Sequence, residues 1–488
     1  MDQTGLNALL RQAQAARDAA QWSDATRLFR QAEALAPAAP EIKHNLALIA
    51  FAQGDAATAR VLAEAAAALS PALWQAQALL ARIHQAAGDP VAAETALNAV
   101  LARAPGNAPA RLGLANLALN AFGDAQAARD LVAPLLGDPH HGDDAELTAL
   151  MAALYLDTDG AALSARLMAF SRAHLRLPRL PERAPRAGRR RIGLVSPLFT
   201  NSPVHHLTFT AFAALAEHHD LHCFARSTRA DEGTAAFQGI AAGWHPVAHL
   251  EPAQLAQRIA GEGIDILFDL GGWADVAALK ALSAKPAARM YKWVGGQSAT
   301  TGIDAFDGWI GDAWQSPAEL QPLYAEPLIA IEGGYCDYAP PAALLRLRDV
   351  PKAGTALVGN PAKITAATMA AWPEGVDRVT LIDRRYLHAR TLERVTALLA
   401  GHGIAVERVA APPGHHAYLA ELARCAAIVN TQPYAAGLTA VEALALGVTL
   451  LSGPAVSPVF AARHHLSHAR TRGRNPTLAA QLRAIAER

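Results

Sequence analysis

Cysteine is scarce. The 488 residues hold three, Cys223, Cys336 and Cys425, far apart and without a Cys-x-x-Cys spacing. An odd count with no framework argues against disulfide stapling and against a cysteine zinc site, and fits free thiols in a reducing compartment. Charge is sparse as well, at 18% of residues, and evenly divided between 43 basic and 43 acidic side chains. That balance leaves no basic face for nucleic acid and no general attraction to anionic membranes. No uncharged apolar run reaches the roughly 18 residues of a membrane span. The opening stretch, MDQTGLNALLRQAQAARDAA, has an early acid and no apolar core, so it does not read as a secretory signal. The expectation is a cytoplasmic protein. Hydrophobic residues are plentiful at 52%, and the length allows about three domains of roughly 100–200 residues each.

The first third repeats. Prolines 37, 71, 105 and 139 are spaced by 34 residues, each closing a helix-like run: AEALAP, AAALSP, LARAP, LLGDP. Between them stand AQGDAATA, AAGDPVAA and AFGDAQAA, around Gly54, Gly88 and Gly123. Gly-Asp ends one helix and caps the next, because the Asp side chain accepts from free N–H groups of the first turn. Three helix–turn–helix units and a partial fourth follow, with Trp22 in place of the turn glycine in the first. The period and the small contact residues resemble the tetratricopeptide repeat, whose stacked pairs form a groove that binds peptides or proteins. The repeats are expected over 1–139 and a helical linker over 140–187. The run RLPRLPERAPRAGRRR, rich in proline and arginine, marks a boundary.

From Arg191 the rhythm changes to short apolar runs alternating with helical patterns: RIGLVSP, DLHCFAR, IDILFDLGG, RMYKWVG, DGWIGD and PLIAIEG. A second series begins near residue 355: TALVGN, RVTLID, VERVAA, AAIVNT and VTLLSG. Each run is a candidate buried strand of a parallel βαβ unit. Two open α/β domains are expected, over 188–345 and 346–488, with ligands at the carboxyl ends of their strands.

Five stretches carry the chemistry: RIGLVSPLFTNSPVHHL, GIDILFDLGGW, WVGGQSATTGIDAFDGWIGD, VGNPAKIT and NTQPYAAGLTAVEALALGV. In the last, a strand leads through a loop into a helix that starts near Gly437. A helix N-terminus offers unpaired N–H groups and partial positive charge, so it can hold a phosphate. There Gly437 lets the backbone approach, Thr439 adds a hydroxyl, and Glu442 accepts from ribose hydroxyls. The same residues also fit a capping box, with Thr439 as N-cap and Glu442 as its third-position partner.

In order and architecture these motifs resemble the O-GlcNAc transferase family, glycosyltransferase family 41, and its bacterial relatives. The resemblance implies a tetratricopeptide solenoid followed by a GT-B fold of two Rossmann-like α/β domains. It implies a nucleotide-sugar donor in the cleft, a protein hydroxyl as acceptor, and no metal or other cofactor. Lys363 then contacts the donor diphosphate and Asn360 faces the same site. His415 and Tyr418, in PPGHHAYLAEL, lie where the family contacts base and phosphate. Thr300 and Thr301, in the turn Gly295 to Gly302, lie near sugar and acceptor, beside the strand ending at Asp269. His206 is the first candidate for the catalytic base and His205 the second. Two positions depart from the family. Ser202 replaces a histidine before the proline, and Trp273 stands where bacterial relatives more often have histidine. Both departures leave the sugar open.

The function expected is transfer of a sugar to Ser or Thr of a protein recruited by the repeats. One alternative is a flagellin glycosyltransferase using a CMP-nonulosonic acid such as pseudaminic or legionaminic acid. Another is a protein-binding scaffold with an inactive transferase domain. Five His-His pairs, at 140, 205, 218, 415 and 464, invite a metal reading, but none has HExxH form, and no metal is expected.

Overall fold

The computed structural model describes residues 3–296, 299–453 and 460–487. The chain divides into two compact units, Met1–Ala149 and Leu150–Arg488. The first unit is a run of antiparallel helix pairs. They span Gln3–Asp18 with Trp22–Leu35, Pro40–Ala52 with Ala56–Leu69, and Trp74–Ala86 with Pro90–Arg103. In the fourth pair, Ala108–Asn116 widens into a π-turn over Leu117–Ala121 before Ala125–Val132. Gly54, Gly88 and Gly123 adopt positive φ between the helices of a pair. The next residues, Asp55, Asp89 and Asp124, accept from Thr58, Ala92 and Ala127 N–H, each at 3.0 Å. Such caps contribute about 1 kcal/mol each. In the first pair the turn glycine's place falls to Ala20, at φ 55, rather than to Trp22, which already begins the second helix. Gln21 there makes no side-chain cap bond. Ala25, Ala32, Ala59, Ala63, Ala66 and Ala93 are fully buried, so the helices approach closely through small residues.

The second unit holds the helix Gly160–His174 and two all-parallel sheets. The first lobe has β1 Arg191–Ser196, β2 Asp220–Ala225, β3 Gly243–Pro246, β4 Ile266–Asp269, β5 Arg289–Lys292, β6 Gly308–Gly311 and β7 Leu328–Ala330. Their order is β3-β2-β1-β4-β5-β6-β7. The second lobe has β8 Thr355–Val358, β9 Arg378–Ile382, β10 Ala405–Ala410, β11 Ala427–Val429 and β12 Thr449–Leu451, ordered β10-β9-β8-β11-β12. Both sheets start in the middle, wind outward one way, and then return to the other side of the first strand. Each therefore has a topological switch point, β1/β4 in one lobe and β8/β11 in the other, where loops diverge and leave a crevice.

The strands are continuous apolar runs because both faces are covered; Ile192, Leu194, Ile266 and Phe268 are fully buried. Strand β3, with sequence GWHP, is not among the expected strands, since an edge strand of this composition carries no aliphatic run. The helices Phe460–Thr471 and Leu478–Glu487 end the chain against the first lobe. Arg190 donates to Glu487 O at 2.8 Å, and Asn475 Nδ2 to Glu332 O at 2.8 Å. No helix among the described residues is long and apolar enough to cross a membrane.

Candidate active site

The candidate residues of the second lobe lie beyond the carboxyl ends of β8, β10 and β11. After β8 the chain turns through Gly359, and Asn360 caps a short 3-10 turn by accepting from Ala362 N–H at 3.0 Å. This turn delivers Lys363, half-buried, across the switch point. Its ammonium donates to Ala435 O at 3.0 Å and sits 4.6 Å from the centre of the Tyr434 ring. Burial pushes its pKa down to about 8. Ala435 and Tyr434 belong to the loop after β11, which Asn430 braces by accepting from Ala436 N–H at 2.9 Å. The loop ends at the helix Leu438–Ala445, called α1 here.

The two readings of α1 part at this point. Its N-cap is Gly437, not Thr439, and no side chain caps it. Among the hydrogen bonds of the described residues, Leu438 and Thr439 N–H have no acceptor within the chain. Space beside Gly437 is open, since a Cβ built there meets nothing within 4 Å. Glu442 does not reach back to the helix start either. Its carboxylate, 1% exposed, accepts from His415 Nε2 at 2.6 Å. Burial raises its pKa, and the His415 bond pulls in the opposite direction. The capping box is therefore absent, and an uncapped helix start with partial positive charge faces open space.

His415 begins the helix His415–Ala423, α2, after β10. Its ring is stacked on Tyr418, with centroids 5.9 Å apart and planes 16° apart. The Tyr418 hydroxyl lies near Thr439 and Glu442 without a completed hydrogen bond. Across the cleft, the helix Pro203–Ala216, α3, follows β1 and carries His206 in its first turn. The His206 ring is 5.2 Å from that of His415 and 6.3 Å from that of Tyr338. Neither of its nitrogens has a partner among the described residues. Burial, then the neighbouring His415 and His205, push its pKa down to about 4. His206 is thus a neutral imidazole aimed at the second lobe.

Other candidates lie apart from this cluster. His205 packs with Phe209 and Phe237, at 5.0 and 5.9 Å between centroids, inside the first lobe. Ser202 spends its hydroxyl on Leu198 O at 2.8 Å. Thr300 and Thr301 are fully buried, and both hydroxyls serve the buried carboxylate of Glu326, Thr300 at 2.7 Å. Trp273 is 6% exposed and its indole N–H donates to Thr300 O at 3.0 Å. These three therefore brace the wall at the turn Gly295 to Gly302 rather than present polar groups to a ligand. Gly295 and Gly296 belong to the same wall. A Cβ at Gly295 would stand 1.9 Å from Leu270 O, and Lys292 Nζ ties Val294 O and Gly295 O at 2.6 Å each. Gln297 and Ser298 of this turn lie outside the described residues.

One group with metal-ligand character occurs among the described residues, His222, His245 and Glu262, and it includes none of the His-His pairs. The two imidazoles meet end to end, with ring nitrogens 3.2 Å apart and planes 7° apart, and Arg258 occupies the other nitrogen of His245 at 2.9 Å. Facing lone-pair directions along one line suit an N–H···N hydrogen bond, not two bonds to a common ion.

The family model described as glycosyl transferase family 41 matches residues 167–336. Over that span the chain is similar to glycosyl transferase family 41. The tetratricopeptide repeat model matches residues 50–105 and 84–154. A probable UDP-N-acetylglucosamine–peptide N-acetylglucosaminyltransferase, SPINDLY of Arabidopsis thaliana, is 22% identical over 278 residues, or 53% of this chain. The chain covers 30% of that relative's length. A solved O-GlcNAc transferase mutant of Thermobaculum terrenum superposes with a TM-score of 0.74 at 23% identity, covering 92% of both chains. The fold is therefore a tetratricopeptide region followed by a GT-B pair of lobes.

The family 41 match ends before Asn360, so the second-lobe candidates rest on the geometry of β8, β10 and β11. Tyr155, Tyr338 and Tyr434 also enter this site and were not singled out from the sequence. Tyr434 lies inside the quoted run NTQPYAAG, where an aromatic residue just before the helix start was the available signal. Tyr155 and Tyr338 sit in stretches that carry none.

Proposed function

We propose that this chain acts as a family 41 transferase, moving a sugar from a nucleotide-sugar donor to a Ser or Thr hydroxyl of a protein held by the tetratricopeptide repeats. The observation that carries the reading is the uncapped start of α1, with Lys363 beside its loop and Glu442 turned away from the helix. The free N–H groups and the ammonium suit the phosphate of a nucleotide. Glu442, once it exchanges His415 for ligand, suits the ribose hydroxyls, and Tyr418 with His415 offers a flat face to the base. The acceptor oxygen attacks the anomeric carbon as the bond from that carbon to the phosphate oxygen breaks. The leaving phosphate keeps the electron pair, next to Lys363 and the helix dipole. The hydroxyl proton passes to a base, for which neutral, unpartnered His206 is suited.

Trp273 favours a second reading, which changes only the donor and acceptor. Its indole N–H is spent on Thr300, so the place of a family histidine gives the sugar no polar group. A CMP-nonulosonic acid donor and flagellin as acceptor fit that departure. Calorimetry with UDP, CMP and their sugars, with nucleotide release as the second readout, tests both. Binding of none of these nucleotides would leave the inactive scaffold as the better reading.

A further inference from the structure

Two loops build the donor side, 359–365 after β8 and 430–437 after β11. A residue from outside both lobes touches each of them. Tyr155, in the last turn of the helix Gly142–Leu156, stacks on Tyr434 with centroids 5.1 Å and planes 15° apart. Its backbone carbonyl accepts from the Thr365 hydroxyl at 3.4 Å. Its hydroxyl lies near the Asn360 side chain, and burial raises its pKa.

The Tyr434 ring thus contacts two groups, the Tyr155 ring and the Lys363 ammonium. Lys363 also bonds the next residue's carbonyl, Ala435 O. The loop backbone is pinned by Asn430 under Ala436 N–H and by the Thr431 hydroxyl, which donates to Tyr434 O at 2.7 Å, while Tyr155 and Lys363 hold its aromatic ring. Loss of Tyr155 removes the stack that sets the tilt of the Tyr434 ring, which the Lys363 contact does not supply, because a cation and a ring attract each other but do not fix an orientation.

We infer that Tyr155 is a positioning residue, which fixes Tyr434 and through it the Lys363 ammonium against the start of α1. It acts through the loops and need not touch the ligand, and this role rests on the nucleotide reading of that site. The proposal predicts a defect in donor binding ahead of one in turnover. An aromatic stack contributes roughly three- to tenfold in an equilibrium constant, and losing it should raise the donor KM by at least that factor with kcat less affected.

The test compares Tyr155→Ala, Tyr155→Leu and Tyr155→Phe in the full chain, each first checked for an unchanged fold by circular dichroism. The expected result is weaker UDP or CMP binding and a higher donor KM for Ala and Leu. Phe keeps the stack and should restore binding to within about threefold. Amide exchange of the 430–437 segment, measured without nucleotide, should quicken in Ala and Leu but not in Phe. Unchanged exchange in Tyr155→Ala, or a Phe variant as impaired as Ala, overturns the positioning role. If the unaltered chain binds no nucleotide, the functional reading fails, while the exchange data still decide whether Tyr155 orders the loop.

Discussion

Lys363→Met is the sharpest perturbation of the site, since it keeps the side chain's length and removes only the charge. The ammonium's pKa, pushed down to about 8, leaves it mostly protonated at pH 7. A charged hydrogen bond to phosphate contributes about 1.5–3 kcal/mol, so the variant should bind nucleotide about 10- to 150-fold more weakly at pH 7. Raising the pH should mimic it. Above about pH 8 the free site loses its proton, and affinity should fall roughly tenfold per unit in the wild type and stay flat in the variant. Binding near that pH should take up about half a proton, because the anion restores the lysine's ordinary basicity. Calorimetry in buffers of different ionisation enthalpy reads this directly.

The effect on folding has the opposite sign. A lysine whose pKa falls on folding costs stability while the unfolded chain holds its proton. The cost is therefore full below about pH 8 and fades as the pH climbs toward the ordinary 10.5. Lys363→Met should raise the melting temperature near pH 7 while it weakens binding. A variant that binds normally, or a wild type with no proton uptake, would refute the assignment of Lys363 to the phosphate.

Glu442→Gln should weaken nucleoside binding by about tenfold, and deoxyribose analogues should then bind the variant and the wild type alike. His206→Asn should lower kcat by about 100-fold or more, as loss of a proton acceptor does, with donor affinity retained. In the wild type the acid limb of kcat/KM should lie near pH 4, where burial has placed this imidazole, and not near 6.5. Thr301→Val should destabilise the fold by about 1–3 kcal/mol, because it strips a partner from the buried Glu326 carboxylate. Donor affinity measured by calorimetry should stay unchanged, since that hydroxyl faces the interior.

Much of the architecture was legible for simple reasons. Gly-Asp turns repeated at a fixed spacing mark helix breaks and caps, and doubly covered strands appear as bare apolar runs. Ala20 shows the limit of that legibility, because an alanine in a left-handed turn carries no turn signature. The site was harder to read. Thr300 and Thr301 look the same in sequence whether their partner is a sugar or a carboxylate, and Glu326, their actual partner, sits past the next strand. The helix at Gly437 could be read two ways because Thr-x-x-Glu serves both a capping box and a ribose grip. What rules out the capping box is the partner of Glu442, and that partner, His415, comes from a different helix.

The electrostatics of the cleft follow from burial. A capping Glu on a surface helix would be solvated and held ionised by the helix start. Glu442 is instead 1% exposed with its pKa raised, while the pKa values of Lys363 and His206 are lowered. Each of these shifts favours the uncharged form. Burial drives the shifts at Lys363 and His206 and outweighs the His415 bond at Glu442. A core helix has no use for three such groups, since apolar residues would fill the same space without a desolvation cost. A site that receives a phosphate does have a use for them. With a pKa of about 8 Lys363 keeps most of its charge at pH 7, so on the proposed reading an arriving phosphate pairs a cation already present, while His206, lowered to about 4, stays neutral and free to accept a proton.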